Sequence, residues 1–538
     1  MNYDPLFHPY PAYRTSQFAT KGVVATSQAL AAQAGLDILK KGGNAIDAAI
    51  ATAAALTVVE PCSNGIGGDA FALVWVKDQL YGLNASGPAP KGISIEALKA
   101  RGYSQVPDLG PIPITVPGAP SAWAALSKRF GKLSLKETLQ PAITLAEEGF
   151  AVSAVVASAW KESYDRYKNS PQNGEFDEWF KVFSVSGEQK PPQAGQIWSS
   201  PDHAATLRAI AETDGEVFYR GELAERIASH IQSLGGYLSV EDLQDYQAEW
   251  VDPIKTNYRG YDVWEIPPNG QGLVALLALQ LLNQYESHTP GTVESYHRQI
   301  EAMKLAFADG QHYITDYRNL NIAVEELLSE DYAAERLELI GETASLPKHG
   351  EPKAGGTVYL ATADDEGNMV SFIQSNYMKF GSGVVIPNTG IALQNRGKDF
   401  SLNEHDANVL APGKKTYHTI IPGFLTKDNQ AVGPFGVMGG IMQPQGHVQV
   451  IMNTIDYDLH PQAAIDAPRW QWIGGKTVLV EPQFPAAIAQ ALARKGHDIK
   501  YALDSSTFGR GQIIWRNHEL SSYIAGTDSR ADGVVAAW

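Results

Sequence analysis

The stretch GGTVYLA at residues 355–361 decides how the rest of the chain is interpreted. Two glycines lead into Thr357, which stands at the start of an alternating run that predicts a β-strand over residues 358–363. If the chain is cut before Thr357, this residue gains a free α-amino group beside its own hydroxyl. Nucleophile and proton acceptor then belong to one residue, as cleavage of an amide bond by an N-terminal threonine requires. On its own, a Gly-Thr pair before a strand is also typical of an ordinary turn.

The composition is typical of a globular protein and excludes some functions. The chain has 538 residues, 44% hydrophobic and 19% charged, which predicts either two to four domains or one large composite fold. Lys and Arg number 42 against 59 Asp and Glu, a formal net charge of -17. No basic cluster with interleaved aromatic residues is present, so we expect no nucleic-acid partner. Cys62 is the only cysteine, which excludes an intramolecular disulfide, and we interpret it as a small buried hydrophobe.

The sequence shows no targeting or membrane segment. Residues 1–18 contain no basic stretch followed by an apolar core, so no secretory signal is visible. The longest apolar run, residues 45–59, contains Asp47 and is too short to cross a bilayer comfortably. We therefore expect a soluble cytoplasmic protein without a membrane partner.

Helical spacing dominates the chain before Thr357. The first patterns predict a strand over residues 23–26, a helix over 29–40, a second helix capped by Asn44 and running to about Val59, and a hairpin over 70–83. Residues 118–350 are predicted to be mainly helical, with helices over 119–129, 135–148, 203–212, 222–234, 272–285 and 295–308. The polar stretch over 335–353 resembles a surface linker.

Strand patterns dominate after Thr357. Strands are predicted over residues 358–363, 369–375, 390–393, 419–425 and 431–437. Two helices, over 445–455 and 485–495, flank them. Helices that enclose sheets in both parts of the chain predict a layered α/β or α+β body.

Two glycine-rich stretches are candidate sites. GPFGVMGG at residues 433–440 fits neither GxGxxG nor GxxxxGK[ST], which disfavours a phosphate cradle. Its backbone N–H groups can approach a reacting carbonyl and stabilise negative charge, as in an oxyanion hole. A tight turn with packing glycines explains the same residues, so both interpretations stay open. NGIGGD at 64–69 is interpreted as a tight crossing between a buried helix and a strand.

The histidines form no metal motif. His297 and His312 lie on or near one helix, fifteen residues apart, and no HExxH pattern is present, so we expect no catalytic zinc. His418 is flanked by hydroxyl-bearing residues. It either orients a substrate or is a structural histidine with satisfied hydrogen bonds, and both interpretations stay open.

Ordered motifs over nearly the whole chain resemble the γ-glutamyltransferase (γ-glutamyltranspeptidase) family of N-terminal-nucleophile hydrolases. The motifs before Thr357 are GGNAIDAA at 42–49, EP at 60–61, GIGGD at 65–69, PPNGQG at 267–272 and EAMKLAFAD at 301–309. Those after it are DDEGN at 364–368, FGSG at 380–383, GI at 390–391, DFS at 399–401, GG at 439–440, DY at 456–457 and APR at 467–469. Their number and order favour Thr357 as a nucleophile.

The resemblance implies an α+β fold, a four-layer αββα sandwich (the Ntn-hydrolase fold) formed by two segments of one self-cleaved precursor. The cut would fall between Gly356 and Thr357. Residues 1–356 would form a large, helix-rich subunit that contributes to the sheets, and 357–538 a small subunit that begins with the nucleophile. The two would stay associated, and a homodimer of this pair stays open. No cofactor and no metal is implied.

The resemblance also assigns catalytic roles. Thr357 would attack a small-molecule amide and hold its acyl group as an ester, which water or an amine acceptor then removes. Ser375 stands where the family has a hydroxyl partner of the nucleophile. Gly439 and Gly440 stand where the family has its oxyanion hole.

The substrate-binding positions depart from the family pattern. Asp399 stands at the position that binds the amino group of the substrate, but Ser86 replaces the arginine that clamps a γ-glutamyl carboxylate. Where the family has a pair of serines, this chain has His418 and Thr419. Tyr377 stands at a family asparagine position, and Arg396 at a family glutamine position. These changes resemble the branch of oxamate amidohydrolases and cephalosporin or glutaryl acylases. Arg396, next to Asn395, would then be a replacement anion clamp.

Three functions are weighed. The first is a self-processing threonine amidohydrolase or acyltransferase that hydrolyses a small amide with an anionic acyl group. The second is a true γ-glutamyltransferase or glutathione hydrolase. The third, from another class, is an inactive relative that stays uncut and serves as a binding scaffold.

Overall fold

Two seven-stranded antiparallel sheets lie at the centre of the computed structural model, which describes residues 9–10, 14–170, 173–185, 188–286, 289–346 and 356–538. Its strands are β1 (Gln17–Ala19), β2 (Gly22–Thr26), β3 (Asp69–Val76), β4 (Gln79–Ala85), β5 (Phe150–Ala151), β6 (Ile197–Trp198), β7 (Glu249–Val251), β8 (Ile254–Tyr258), β9 (Tyr261–Glu265), β10 (Gly356–Asp364), β11 (Met369–Tyr377), β12 (Gly423–Lys427), β13 (Gln430–Met438), β14 (Trp470–Gly474), β15 (Thr477–Val480), β16 (Asp498–Tyr501), β17 (Arg510–Asn517), β18 (Ser522–Thr527) and β19 (Val534–Ala537). The first sheet has the order β19-β2-β10-β11-β3-β4-β7, and the second β1-β18-β17-β13-β12-β9-β8. Two smaller sheets, β14-β15-β16 and β5-β6, lie outside them.

Helices cover both sheets. They are α1 (Ala29–Lys40), α2 (Ala45–Val59), α3 (Ile95–Ala100), α4 (Ala119–Phe130), α5 (Leu135–Glu148), α6 (Ala154–Lys168), α7 (Asp177–Phe183), α8 (Pro201–Glu212), α9 (Glu216–Arg220), α10 (Glu222–Ser233), α11 (Val240–Gln244), α12 (Gly272–Asn283), α13 (Val293–Tyr313), α14 (Val324–Leu327), α15 (Glu330–Leu337), α16 (Met442–Ile455), α17 (Pro461–Asp466) and α18 (Ala486–Arg494). Short 3-10 turns occur at Asn173–Phe176, Tyr317–Asn319, Arg396–Asp399 and Ser505–Phe508. No described helix has the length and apolar character needed to cross a membrane.

Alternate side chains along the strands face opposite sides of each sheet and so form three hydrophobic cores. In β10, Tyr359 and Ala361 pack into a cluster shared by the two sheets, where Phe424 and Ile514 come from the second sheet. The intervening Leu360 faces the opposite way, into a core with helices that include α2, α4 and α5. The outer face of the second sheet packs on α12, α13 and α16. Period-two burial therefore places the ends of β10, β11 and β13 next to the space between the sheets.

Local chemistry explains the best-predicted elements. α1 ends at Lys40, followed by Gly42 with a φ of 95°, and α5 spans Leu135–Glu148 as predicted. Asn44 forms a capping box at the start of α2, all of whose residues are buried. Cys62 is buried, as predicted, and burial raises its thiol pKa to about 12.

Several predicted elements differ from the structure. Residues 390–393 form no regular strand: Ala392 and Leu393 make only isolated bridges, and Gly390 has a φ of 70°. The strand predicted from Thr419 begins only at Gly423, because Pro422 has no N–H group to donate and the residues before it bond to side chains.

The region predicted to be mainly helical also contains strands. β8 and β9 form a hairpin at the edge of the second sheet, and its patterns were missed because they lie between long helices. The predicted linker over 335–353 begins inside α15 and continues as irregular chain to residue 346, while 347–353 and Gly355 lie outside the described residues.

Candidate active site

Three strand ends meet at Thr357. β10 begins at Gly356, its neighbour β11 ends at Tyr377, and β3 begins at Asp69. Gly356 is paired with Tyr377, and Ser375 with Asp69. Because neighbouring antiparallel strands run in opposite directions, the start of one and the end of the next lie at the same edge of the sheet. The sheet thus gathers these residues at one edge.

The Thr357 hydroxyl contacts the Ser375 hydroxyl. Their Oγ1 and Oγ atoms are 3.1 Å apart, and both residues are buried. The backbone N–H of Tyr377 donates to Ser375 Oγ at 2.8 Å, which fixes the serine side chain. A shift of register between Gly356 and Val358 marks an irregularity in the ladder at Thr357. Thr357 is therefore held by a hydroxyl partner at the start of its strand.

A glycine pair follows β13 at the same site. Gly439 has a φ of 135° and Gly440 a φ of 59°, values that favour glycine. The Gly439 carbonyl accepts from the N–H of Met442 at 3.0 Å, and the Gly440 carbonyl accepts from Gln271 Nε2 at 2.9 Å. Since a trans peptide places its N–H opposite its C=O, the Gly440 N–H points away from the start of α16. Such a donor is available to a group outside the helix.

A cavity of about 650 Å³ contains Thr357 and Gly439 on its wall. Cations and apolar side chains make up much of the rest: Arg166, Lys379 and Arg510, with Ala159, Met378, Met438, Ile441, Ile473 and Leu479. Lys379 pairs with Glu162, and Arg510 lies 3.5 Å from the buried Glu60. This volume suits a ligand larger than a two-carbon amide.

Arg396 lies in a buried cluster that Tyr377 connects to the pair of Ser375 and Thr357. Its guanidinium stacks on the Tyr377 ring at 4.0 Å, and its NH1 donates to Thr419 Oγ1 at 2.8 Å. Asp69 and Asp399 carboxylates are 4.0 and 3.8 Å from it. Within the described chain, Nε and NH2 of Arg396 have no hydrogen-bond partner although the side chain is 1% exposed. Buried guanidinium donors of this kind favour a further anionic or carbonyl partner.

Tyr377 connects the two parts of the site. Its backbone N–H bonds Ser375, while its hydroxyl donates to Asp399 Oδ1 at 2.7 Å. Burial, with Asp399 as the next cause, raises the pKa of this phenol well above its usual range, so Tyr377 stays a neutral donor. Asp399 is thus held by a phenol on one side and faces the Arg396 guanidinium on the other.

His418 has both ring nitrogens engaged inside the protein. Nε2 is 2.9 Å from Asp69 Oδ2, and Nδ1 accepts from the Ile420 N–H at 3.4 Å. Burial, and then the positive charge of Arg396, lower the pKa of His418 well below its usual range. The imidazole is therefore neutral and donates to Asp69. These contacts fit the interpretation of His418 as a satisfied structural histidine.

A family model described as gamma-glutamyltranspeptidase matches residues 31–538. The chain belongs to this family. The Glutathione hydrolase-like YwrD proenzyme of Bacillus subtilis (strain 168) is 37% identical over 97% of this chain and 99% of its own length. The oxamate amidohydrolase proenzyme of Klebsiella pneumoniae is 34% identical over 97% of this chain and 100% of its own length. A crystal structure of cephalosporin acylase from Bacillus halodurans is 60% identical, with a TM-score of 0.95, and covers 100% of this chain and 99% of that one.

The gamma-glutamyltranspeptidase family expected from the motifs is thereby confirmed. As a member, the protein is a hydrolase that acts on amide C–N bonds. Its mixed α/β fold with antiparallel sheets is similar to that of the cephalosporin acylase.

Ser86, at the position where the resemblance expects an arginine, bonds to uncharged side chains. Its hydroxyl donates to Asn84 Oδ1 at 2.7 Å and accepts from Asn269 Nδ2 at 3.2 Å. Asn269 Nδ2 also donates to the Thr416 carbonyl. Ser86 is 1% exposed, and the side-chain partners of its hydroxyl are uncharged.

Asn395 fixes the chain next to Arg396. Its Oδ1 accepts from the Met378 N–H at 3.2 Å, and its Nδ2 donates to the Asp108 carbonyl at 2.7 Å. Both polar ends of the side chain are thus bonded to main chain.

Two site residues were missed by the sequence reasoning. Gln271 Nε2 bonds the carbonyls of Thr419 and Gly440, at 2.6 and 2.9 Å, and so joins the two sides of the site. Asp69 lies between His418 and Arg396. Both residues stand inside quoted family motifs, PPNGQG and GIGGD, which was the signal that could have found them.

The potential metal ligands that come together in the described residues lie outside the cavity at Thr357. In the described ranges, three potential ligands come together at His297, Glu301 and His497, and His312 is not among them. None of them lines the cavity at Thr357. The buried ammonium of Lys304 bonds Glu301 at 2.7 Å, and a positive charge there opposes a divalent cation.

The buried Asp69 predicts a pH dependence of stability. Burial raises its carboxyl pKa to about 7, against about 3.9 in an unfolded chain. The folded state then binds the proton more tightly than the unfolded chain does. Protonation of Asp69 therefore makes its full contribution to the free energy of unfolding below about pH 4, and that contribution is lost as pH rises towards 7. The Asp69→Asn variant cannot ionise at this position. We therefore expect its melting temperature, minus that of the parent, to be higher at about pH 8 than at about pH 5.

Thermal unfolding of the Thr357→Ala chain, with and without Asp69→Asn, measures this effect without interference from a cut. A melting-temperature difference that is the same at both pH values would contradict the assignment of a raised pKa to Asp69.

Proposed function

We propose that the protein is a self-processing amidohydrolase or acyltransferase with Thr357 as its nucleophile, cut between Gly356 and Thr357 into segments 1–356 and 357–538. The observation that carries the proposal is the 3.1 Å contact between the hydroxyls of Thr357 and Ser375 at the start of β10. The relatives named as proenzymes support a processed precursor. The cores between and outside the two sheets support the four-layer αββα sandwich.

Processing and turnover use the same hydroxyl. The Thr357 Oγ1 attacks the Gly356 carbonyl, the peptide nitrogen leaves with a proton, and water hydrolyses the resulting ester. The freed amine has an ordinary pKa of about 7.7–8.0, so near neutral pH much of it can accept the hydroxyl proton. A substrate amide then passes its acyl group to Oγ1 and releases its amine. Water or an acceptor amine removes the acyl group.

Ser375, Gly439 and Gly440 serve these steps. Ser375 orients the Thr357 hydroxyl. The N–H groups of the glycine pair stabilise the oxyanion that forms at the attacked carbonyl, a contribution of about 3–4 kcal/mol per donor in comparable sites.

The substrate is proposed to be an amide with an anionic acyl group. Arg396 supplies the clamp, since two of its donor groups lack a partner among the described residues. Tyr377, Asp399 and Thr419 contact its guanidinium, Asn395 precedes it in the chain, and His418 is linked to it through Asp69. Ser86 leaves no arginine at the family's γ-glutamyl clamp, which argues against glutathione. The size and apolar lining of the cavity favour a leaving group larger than ammonia. Oxamate amidohydrolase and cephalosporin acylase among the relatives fit this substrate class.

A panel of amides that share one chromogenic amine tests the acyl preference. We expect kcat/KM for the glutaryl amide to exceed that for the pentanoyl amide by about 10-fold or more, because a charge-assisted hydrogen bond contributes about 1.5–3 kcal/mol. The γ-glutamyl amide is expected below the glutaryl amide, and ammonia release from oxamate gives the small-substrate comparison. Equal rates on the glutaryl and pentanoyl amides would contradict the anion clamp, and faster γ-glutamyl turnover would favour the glutathione hydrolase alternative.

A further inference from the structure

One face of the small sheet β14-β15-β16 forms part of the wall of the cavity at Thr357. Gln471 of β14 and Leu479 of β15 are cross-strand partners, and both line the cavity. Cross-strand partners of an antiparallel pair project to the same side of their sheet. Ile473, two residues after Gln471, lines the cavity as well. This wall therefore presents one carboxamide together with two apolar side chains.

The main chain on either side of Gln471 is fixed by helix α16. Gln445 accepts from the Trp472 N–H at 2.7 Å and donates to the Trp472 carbonyl at 3.1 Å. Gln449 bonds the N–H and the carbonyl of Trp470 in the same way, at 3.2 and 3.0 Å. Both tryptophans are fully buried. Because side chains alternate along a strand, Gln471 projects away from them and towards the cavity.

The carboxamide of Gln471 has one end without a partner. Its Oε1 has no hydrogen-bond partner among the described residues, although the residue is only 3% exposed. Of the described side chains that line this cavity, Gln471 is the one with such a buried, unpaired polar atom. A buried acceptor without a donor is costly, so the site favours a ligand that brings a hydrogen-bond donor.

The cations on the cavity wall differ from Gln471, because each of them faces a carboxylate. The pairs are Lys379 with Glu162, Arg510 with Glu60 and Arg166 with Asp108. Their charges are thus compensated in part by the protein itself. The unmet bonding capacity of this wall is therefore an acceptor for a neutral donor.

The cavity lies on the amine side of the bond that is cut. With the acyl anion at Arg396, as proposed above, the amine half extends away from that cluster, and neither Arg396 nor Asp399 lines the cavity. The acyl group stays on Thr357 until deacylation, whereas the amine must first leave to solvent. The cavity allows this exit, since the Lys379 and Glu162 side chains on its wall are 40% and 59% exposed.

We propose that Gln471 is a specificity-determining residue, whose Oε1 accepts a hydrogen bond from an N–H group on the amine half of the substrate. This role rests on the function proposed above. The substrate class that fits is an N-acylated apolar amino acid whose own carboxyl group is an amide. Its side chain packs on Ile473 and Leu479, and its amide N–H reaches Gln471.

Two substrates of the same shape test this role. Phenylalanine N-methylamide and phenylalanine methyl ester are each N-acylated with the best acyl group of the panel above, so that they differ only in an N–H against an oxygen. Release of the primary amine is followed by chromatography. We expect kcat/KM for the N-methylamide to be about fivefold higher, the effect of one neutral hydrogen bond.

Variants of Gln471 connect this preference to the residue. Gln471→Met removes the carboxamide at similar size and is expected to bring the ratio of the two kcat/KM values to about one, with the methyl ester within twofold of its wild-type rate. Gln471→Glu retains an oxygen acceptor and is expected to keep the preference for the N-methylamide. Both variants should cut themselves normally. A general structural defect would slow both substrates alike.

Gln280→Met is the matched control. Gln280 lies on α12, is 7% exposed, and its Oε1 also has no partner within the described chain. It does not line the cavity at Thr357. We expect this variant to keep the wild-type ratio.

The outcomes separate this role from the proposed function. Equal kcat/KM for the two substrates in the wild type, or a ratio that Gln471→Met leaves unchanged, would overturn the role and leave the proposed function standing. So would a cut wild type that hydrolyses the panel amide but neither phenylalanine derivative. If Gln471→Met fails to fold, Gln471→Glu decides, since loss of the preference there would contradict an acceptor at this position. A wild-type chain that stays uncut and hydrolyses no amide would overturn both.

Discussion

Thr357→Ala is expected to leave the chain uncut and to lower turnover by a factor on the order of 10⁴ to 10⁶. Removal of the nucleophile eliminates both the attack on Gly356 and the acyl ester, and no other hydroxyl takes its place because Ser375 is fixed by the Tyr377 N–H at 2.8 Å. The measurement is a denaturing gel together with hydrolysis of the best amide from the panel. Thr357→Ser removes one methyl group but retains the hydroxyl and the amine. This variant is therefore expected to cut itself, but more slowly than the wild type.

Ser371→Ala is the matched control for Thr357→Ala. Ser371 lies on the same strand as Ser375, and its hydroxyl contacts the Tyr359 hydroxyl at 2.8 Å instead of the nucleophile. It should be processed and active. Normal processing in Thr357→Ala would show that another residue is the nucleophile.

Arg396→Gln is expected to raise KM for anionic acyl amides by roughly 10- to 100-fold while self-cleavage stays intact. The guanidinium is buried and has donors without partners in the described chain, and a hydrogen bond to a charged group contributes about 1.5–3 kcal/mol. Glutamine, which the family resemblance places at this position, keeps a polar side chain but has no charge. Steady-state kinetics on the glutaryl and pentanoyl amides measure the effect.

Lys398→Gln is the control for this variant, because Lys398 lies in the same 3-10 turn but pairs with Asp108. Its KM should stay within twofold of the wild type. An Arg396→Gln enzyme with an unchanged KM for the glutaryl amide, or with equal losses on the neutral amide, would contradict the clamp.

The sequence predicted elements whose signals are local. The helix ending before Gly42, the cap at Asn44 and the helix over 135–148 depend on spacing and capping within a few residues, and all are present. β8 and β9 were missed because they lie between long helices, and β9 joins its sheet through β12, which is distant in sequence. Residues 390–393 look extended, but the structure gives them only isolated bridges.

In the site, too, local motifs could be identified from the sequence, whereas contacts between distant segments could not. The resemblance selected Thr357, Ser375 and Gly439, and the structure places Ser375 against Thr357 and Gly439 on the same cavity. The sequence did not show that Arg396 lies buried between two carboxylates, since Asp69 reaches it only when β3 pairs with β11. Nor could periodicity show that Gln271 bonds the Gly440 carbonyl from another segment.

The most direct test of the account is N-terminal sequencing and intact mass of purified, active protein. The account predicts two associated chains of about 38 and 20 kDa, in proportion to 356 and 182 of the 538 residues and 58.2 kDa, the smaller beginning Thr-Val-Tyr-Leu. Active protein with one unbroken chain through Gly356 and Thr357 would contradict it, and an inactive unbroken chain would favour a binding scaffold.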